Sequence, residues 1–247
     1  MRERNYFNAK IQDLIQREAG GAGMAFSSFL TPEESAEAAA ICRNAGVSFL
    51  LYGGYEESER KILAVSSLDT QQLKECFPIR LIEVACAHPD ELSNRDVLGA
   101  LMAAGIRRDV LGDIIVRDGL ILIFALDSIT DFLLQNITSV GRQQVHLSEA
   151  SMQLKIPEPH FEFFRITAAS LRADAVIGGL CRVSREQASR LIDEKRVLLN
   201  HCLLEKKTKE VTAGDCLILR GFGKWKIDAC DCRTKKGRVV LECRKYS

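Results

Sequence analysis

The sequence predicts an α+β protein built from three small domains, and three observations predict it. Apolar residues recur at three- and four-residue spacing in some stretches, as in amphipathic helices; in others they form the short alternating or continuous blocks of strands. Glycine, proline, asparagine and aspartate mark the joins between these blocks. Hydrophobic residues make up 47% of the 247 positions and charged residues 27%, enough apolar material for several buried cores and too little charge excess for a disordered chain.

The first domain is expected over residues 1–76. An amphipathic helix covers about residues 6–18 and stops at Gly20, Gly21 and Gly23. A second helix starts after Thr31, which can cap it, with Pro32 at the first helical position and Glu34 placed to close a capping box. Gly46 supplies its left-handed stop. Two strands follow, at 47–52 and 61–66, around Gly53-Gly54-Tyr55, which reads as a turn with a packed aromatic.

The second domain is expected over residues 77–154. A strand at 78–87 leads to a helix capped by Ser93 or Asn94 and running to about Ala104. Strands at 113–117 and 120–126 flank Asp118-Gly119, the strongest short hairpin signal. Asp127 can cap a helix to about Asn136, and 143–148 is a last strand. This order of strand, helix, strand, strand, helix, strand is the split βαβ, ferredoxin-like arrangement that RNA-recognition motifs share. Such motifs stack bases on exposed aromatics of the third strand, where this chain has only Phe124. Base stacking on that sheet is therefore not expected. Arg107, Arg108, Arg117 and Arg142 can meet phosphates or pair with nearby carboxylates.

Residues 155–169, with Pro157 and Pro159, read as a linker to a third domain at 170–247. There, helices are expected at 172–180 and 185–195, the second capped by Ser184, followed by strands at 196–200, 216–220, 226–232 and 238–244.

Net charge is +1, but it is unevenly placed. Through Arg165 the chain has 16 Lys+Arg against 23 Asp+Glu, a balance of −7; from Ile166 onward it has 18 against 10, a balance of +8. A basic end on an acidic body points to a polyanionic partner for that end. The longest apolar run, residues 119–126, is too short to span a bilayer, and the N-terminus lacks a signal-peptide core. A cytoplasmic monomer with no membrane partner is expected. The nine cysteines form no CxxC and lie far from most of the four histidines; Cys230 and Cys232 are the one close pair. They read as reduced, mostly buried thiols, with no metal site.

No catalytic or cofactor motif stands out. There is no GxGxxG after a strand, Walker loop, GxSxG or HExxH. Gly20-Gly21-Ala22-Gly23 follows a helix, and of the acidic neighbours Asp109, Asp113 and Asp118, Asp118 belongs to a turn and Asp109 to a loop. The expectation is a non-catalytic protein without a cofactor. The alternatives are an RNA-modifying enzyme with a divergent active site in residues 1–165, and a protein adaptor that does not bind RNA.

The most specific stretch lies beyond Ser170. On the Ser184-capped helix, Ala188, Leu191 and Ile192 can pack inward while Arg185, Arg190, Lys195 and Arg196 project outward. Arg172 stands on the preceding helix, and the cations continue through Lys206, Lys207, Lys209, Arg220, Lys224 and Lys226. One continuous electropositive patch is expected, suited to phosphate oxygens through counterion release. Arg172 and Asp174, Ser184-Arg185, Ala188, Leu191-Ile192, Val197, Asn200, and Val211 with Gly214-Asp215 resemble the RNA-binding domain named after small-subunit ribosomal protein S-four. The resemblance implies two short helices and a hairpin that grip folded RNA, with Arg172, Ser184, Arg185, Arg190, Lys195, Arg196 and Asn200 as contacts. That family often has Gly where Lys195 and His201 stand, and Leu where Ala173 stands.

Motifs spread along the chain resemble one family in particular, the YlmH-like proteins. They are Gly53-Gly54-Tyr55 with Glu59-Arg60; Asn94 through Met102; Gly105-Ile106-Arg107-Arg108; Gly112-Asp113-Ile114; Gly141-Arg142; and Gly221-Phe222-Gly223-Lys224. The resemblance implies a bacterial or organellar ribosome-associated protein that binds rRNA of the large subunit, with tRNA as a further partner. It also implies a part in rescuing large subunits that still carry peptidyl-tRNA.

Overall fold

The computed structural model describes residues 2–234 and 237–246. The chain forms two compact units, Met1–Pro157 and Glu158–Ser247, and the mixed helices and sheets of both are those of an α+β protein.

The first unit opens with α1 (Arg2–Arg17), which loosens into a wider turn that closes at Gly21 and Gly23. β1 (Met24–Leu30) follows. Its sequence gave no expectation of a strand, because a register shift between Phe26 and Phe29 breaks the alternation that would mark one. α2 (Pro32–Ala45) begins and ends as expected. The Thr31 hydroxyl accepts from the Glu34 backbone at 3.2 Å, the Glu34 carboxylate accepts from the Thr31 backbone at 2.7 Å, and Gly46 is left-handed at φ 68°. The Val47 amide donates to the Cys42 carbonyl, so β2 (Phe49–Tyr52) starts two residues later than expected. β3 (Lys61–Ser66) is the centre of a three-stranded sheet ordered β1-β3-β2. α3 (Thr70–Glu75), capped by Asp69, is too short to show helical periodicity in sequence.

The second sheet is built from β4 (Ile79–Cys86), β5 (Leu111–Arg117), β6 (Leu120–Leu126), β7 (Ser139–Val140) and β8 (Gln143–Ala150), ordered β5-β6-β4-β8-β7 with antiparallel neighbours. α4 (Asn94–Ala103) carries a Ser93–Asp96 capping box. α5 (Thr130–Asn136) is preceded by a tight turn at Asp127–Ile129, so Asp127 is not its cap. At the hairpin, Asp118 and Gly119 both have positive φ, 52° and 75°, as a type I′ turn requires.

These two sheets share a core, so the expected boundary at residues 76/77 does not separate two domains. Leu63 and Val65 of β3 face α1 and α2, where Ile11, Leu14, Ala38 and Cys42 pack. Ile62 and Ala64 face the other way and join Phe29, Leu81, Leu122 and Phe124 between the sheets. Ile82, Ile121 and Ile123 point out of the far face to Val97 and Leu101 of α4 and Leu133 of α5. The layers thus run helix, sheet, sheet, helix. A sheet buried on both faces needs apolar residues at every position, which is why β6 reads as the unbroken run LILIFAL.

The second unit holds β9 (Phe161–Ala168), α6 (Ala173–Cys181), α7 (Arg185–Asp193), β10 (Val197–Leu199), β11 (Cys202–Leu203), β12 (Cys216–Leu219), β13 (Gly223–Arg233) and β14 (Val239–Tyr246). Its six-stranded sheet is ordered β11-β10-β12-β13-β14-β9. The linker expected at 155–169 is corrected by β9, which pairs with β14 along its whole length, from Phe161 opposite Tyr246 to Ala168 opposite Val239. The two prolines lie before the strand, and its partner residues are 71 to 85 positions away in sequence, so no local signal announces the pairing. α6 and α7 cover one face of this sheet. Ala173, Val176, Ile177, Ala188, Leu191 and Ile192 pack on Leu217, Leu219, Trp225, Ile227, Leu241 and Cys243.

Candidate nucleic-acid interface

The basic residues of the second unit are organised around one buried carboxylate. Asp174 lies in the first turn of α6 and is only 4% exposed. Arg172, at the N-cap of α6, donates to it from Nε at 3.2 Å and Nη2 at 3.0 Å. Arg185, the first residue of α7, donates from Nε at 3.1 Å and Nη2 at 3.4 Å. Burial pushes the Asp174 carboxyl up, but the hydrogen bonds and charges of the two arginines outweigh it and hold the group below its ordinary range. The hydrogen bond to Asp174 likewise raises Arg172. Two guanidiniums share one negative charge, so the site keeps a net positive charge. Each guanidinium also retains outward N–H groups, since only two of its donors are engaged.

The elements around this hub are tied together by caps and backbone hydrogen bonds. Ser184 caps α7, its hydroxyl accepting from the Gln187 backbone at 3.2 Å while the Gln187 side chain accepts from the Ser184 backbone at 3.0 Å. The loop after β11 closes the start of α6. The Ala173 amide donates to the Lys209 carbonyl at 2.8 Å and the Asp174 amide to the Lys207 carbonyl at 3.2 Å. Lys206, Lys207 and Lys209 are thereby held beside the Arg172–Asp174–Arg185 cluster.

Several expected contact residues have structural partners. Arg190 pairs with Glu186 at 2.6 Å, Arg196 with Glu194 at 3.5 Å, and Lys207 with Asp193 at 2.7 Å. These pairs are exposed, so they hold the side chains weakly. Arg196 also donates to the Arg220 carbonyl at 2.9 Å. The Asn200 amide is used at both ends: it donates to Asp215 at 2.6 Å and accepts from the Cys216 backbone at 2.8 Å, locking the turn between β10 and β11. Among the described residues, Lys195, Lys206 and Lys226 carry no ion pair. Lys195 and His201 have φ of 55° and 64°. The backbone has therefore kept a left-handed turn that glycine would adopt without strain.

The single continuous patch expected from sequence is not what forms. Trp225 and Ile227 of β13 point into the core beneath α6 and α7. Lys224 and Lys226 alternate with them and so lie on the opposite face of the sheet. The helix-side cluster and the sheet-side lysines are two separate surfaces.

In the first unit, Gly53-Gly54-Tyr55, Glu59-Arg60 and Gly112-Asp113 meet between the two sheets. Asp113 accepts from the Tyr55 hydroxyl at 2.8 Å and from the backbone amides of Glu59 at 2.7 Å and Arg60 at 3.0 Å. Arg60 donates to the carbonyls of Leu111, Phe29 and Arg108, and Arg108 to those of Leu111 and Gly112. Burial lowers both guanidiniums, and with Arg60 beside it Arg108 falls to about 10. Burial and Asp113 raise the Tyr55 phenol, whose ring stacks on Phe124 at 5.0 Å. A Cβ at Gly54 would meet the Phe124 ring at 2.5 Å. These motif residues therefore stitch the sheets together, a role that spacing in sequence did not reveal. Phe124 is 1% exposed beneath this layer and has no free face. Arg107 pairs with Asp109, and Arg117 donates to the Pro157 carbonyl.

The described cysteines form no disulfide with one another. Only Cys42 and Cys243 are buried, while Cys76 and Cys202 are exposed, so the expectation of mostly buried thiols is corrected. Burial raises Cys181 and Cys243 to about 11, leaving them protonated and unreactive. The side chain of Cys232 lies outside the described residues. No group of three His, Cys, Asp or Glu among the described residues is placed to hold a metal ion, and no helix is long and apolar enough to cross a membrane.

Comparison with known proteins bears on this arrangement. Residues 73–154 match a family model described as "Putative RNA-binding domain in YlmH". The chain is 30% identical over 226 residues to "Ribosome-associated protein quality control protein P2" of Bacillus subtilis (strain 168), covering 90% of this chain and 88% of that protein. It is similar in fold to "Cell division protein ylmH from Streptococcus pneumoniae", with a TM-score of 0.53 at 18% identity, covering 63% of this chain and 95% of that one.

Proposed function

Because this chain belongs to the YlmH-like family of RNA-binding proteins, we propose that it is a ribosome-associated RNA-binding protein whose second unit meets folded RNA through α6 and α7. It acts by stabilising a bound state rather than by making or breaking bonds. The observation that carries this reading is the Asp174 hub. It fixes two arginines from different helices on one carboxylate and leaves their outer N–H groups and a net positive charge at the surface. A preorganised guanidinium pair suits phosphate oxygens, because little side-chain entropy is lost on contact.

We read residues 170–247 as an S-four-type RNA-binding domain, with Lys195 and Lys206 as further phosphate contacts. Arg190, Arg196 and Lys207 can exchange their exposed carboxylate partners for phosphate. Ser184 and Asn200 serve by fixing the helix start and the turn. The five-stranded sheet with α4 and α5 is read as ferredoxin-like. Since the other sheet covers the face on which RNA-recognition motifs stack bases, RNA contacts of residues 73–154 would come from helices and loops. The partner proposed is rRNA of the large subunit together with tRNA, and the setting is ribosome-associated quality control, in which the Bacillus subtilis relative is named.

The test is sedimentation of the full chain with purified large and small ribosomal subunits on sucrose gradients across a salt series. The chain should travel with large subunits. The Arg190→Glu/Lys206→Glu double variant, altered only at exposed side chains, should dissociate at lower salt, its log–log salt slope shallower by about 2. A wild-type chain that stays at the top of the gradient at low salt overturns the proposal.

A further inference from the structure

The face of the six-stranded sheet turned away from α6 and α7 carries aromatic rings and cations in alternation. Along β9, Phe161, Phe163 and Arg165 share this face, since Phe164 and Ile166 point into the core. Phe163 is 78% exposed, the most exposed of the large hydrophobic side chains described. Across the sheet, Phe163 stands opposite Arg244 of β14, and Arg244 opposite Lys226 of β13, making one row of ring, guanidinium and ammonium. The next row pairs Phe161 with Tyr246, whose rings meet edge to face at 4.9 Å.

The cations are already seated against the rings. Arg244 lies 4.7 Å from the centre of Phe161 and Lys224 lies 4.4 Å from the centre of Tyr246. Asp228 holds Arg244 at 2.9 Å, and Glu242 stands 3.9 Å from Arg165. Among the described side chains of this face, Arg165, Lys226 and Arg244 outnumber the carboxylates Asp228 and Glu242, and Lys224 stands beside them. Phe163 is the ring left open to solvent among them. Exposed aromatics fixed on a rigid sheet and bordered by cations match unpaired nucleotides, whose bases offer flat π-faces and whose linkages offer charge. An apolar protein partner would not call for this excess of positive charge.

We propose that this outer sheet face is a second RNA surface, separate from the helix-side cluster, and that it takes single-stranded RNA by stacking a base on Phe163 while Lys226, Lys224 and Arg165 meet the flanking phosphates. It rests on the reading of the chain as an RNA-binding protein only in the class of partner; the residues are different.

The test uses the full chain and two labelled probes, an unstructured 12-nucleotide RNA and a fully paired RNA hairpin, titrated by fluorescence anisotropy. Phe163→Ala should weaken binding of the unstructured RNA about tenfold or more and leave hairpin binding unchanged. Phe163→Trp should retain that affinity, and its exposed indole should be quenched when the unstructured RNA binds. Arg190→Glu/Lys206→Glu should show the reverse preference, weakening the hairpin alone. If wild type ignores the unstructured RNA, or Phe163→Ala leaves its affinity intact, the sheet-face proposal fails while the helix-side reading stands. Concentration-dependent association of wild type that Phe163→Ala abolishes would assign the face to a protein contact and also overturn it. A wild type that binds the unstructured RNA but neither the hairpin nor the large subunits would overturn the helix-side reading and leave the sheet-face proposal standing.

Discussion

Replacing Asp174 with asparagine tests the hub on which the helix-side interface depends. Asparagine keeps the shape of the side chain but removes the charge and turns one acceptor into a donor facing guanidinium N–H groups. The carboxylate accepts four hydrogen bonds from two arginines. Bonds to charged groups contribute about 1.5–3 kcal/mol each when well buried. Here the Arg172 and Arg185 side chains are 39% and 55% exposed, so they rehydrate on release and each pair is discounted to about 1 kcal/mol. The expected loss is about 2 kcal/mol. Urea unfolding followed by tryptophan fluorescence measures it directly, because Trp225 is the sole tryptophan and lies in the core of the same unit. Acid should narrow the gap. Asp174 titrates below its ordinary 3.8 in the folded chain, so its contribution is complete above that value and is lost as pH falls through the lower folded one. Asp174→Asn within 0.5 kcal/mol of wild type at pH 7, with an unchanged acid profile, would refute the hub. The same geometry warns against Arg185→Glu as a binding probe, since it would set a second carboxylate against a buried one.

Two further substitutions check the reading of local structure. Lys195→Gly should raise stability by about 0.5–1 kcal/mol in the same urea assay. Its φ of 55° strains any side chain, and no gain would mean that the turn is not held left-handed. Gly112→Ala should cost about 1–3 kcal/mol, read as a lower melting temperature by circular dichroism. The added methyl would sit 2.7 Å from the Phe29 ring and 2.9 Å from Phe124, both 1% exposed and unable to give way; an unchanged melting temperature would count against the packed seam between the sheets.

What the sequence by itself determined is what short-range chemistry controls. The Thr31 and Ser184 caps, the Gly46 stop, the Asp118-Gly119 turn and, apart from the two-residue β7, the order of elements from β4 to β8 are set by residues within a few positions of one another, and they stand in the structure where they were expected. The charge asymmetry and the list of basic residues were equally legible. Tertiary structure decided the rest, because it depends on partners distant in the chain. It turned residues 161–168 from linker into strand, merged the first two segments around Phe29 and Phe124, and used Asp113, Tyr55 and Arg60 as a seam. It also divided the cations. Residues next to one another in β13 leave the sheet on opposite faces, so which lysines join Arg172 and Arg185, and which stand with Phe163, follows only from strand pairing and from which face the helices cover.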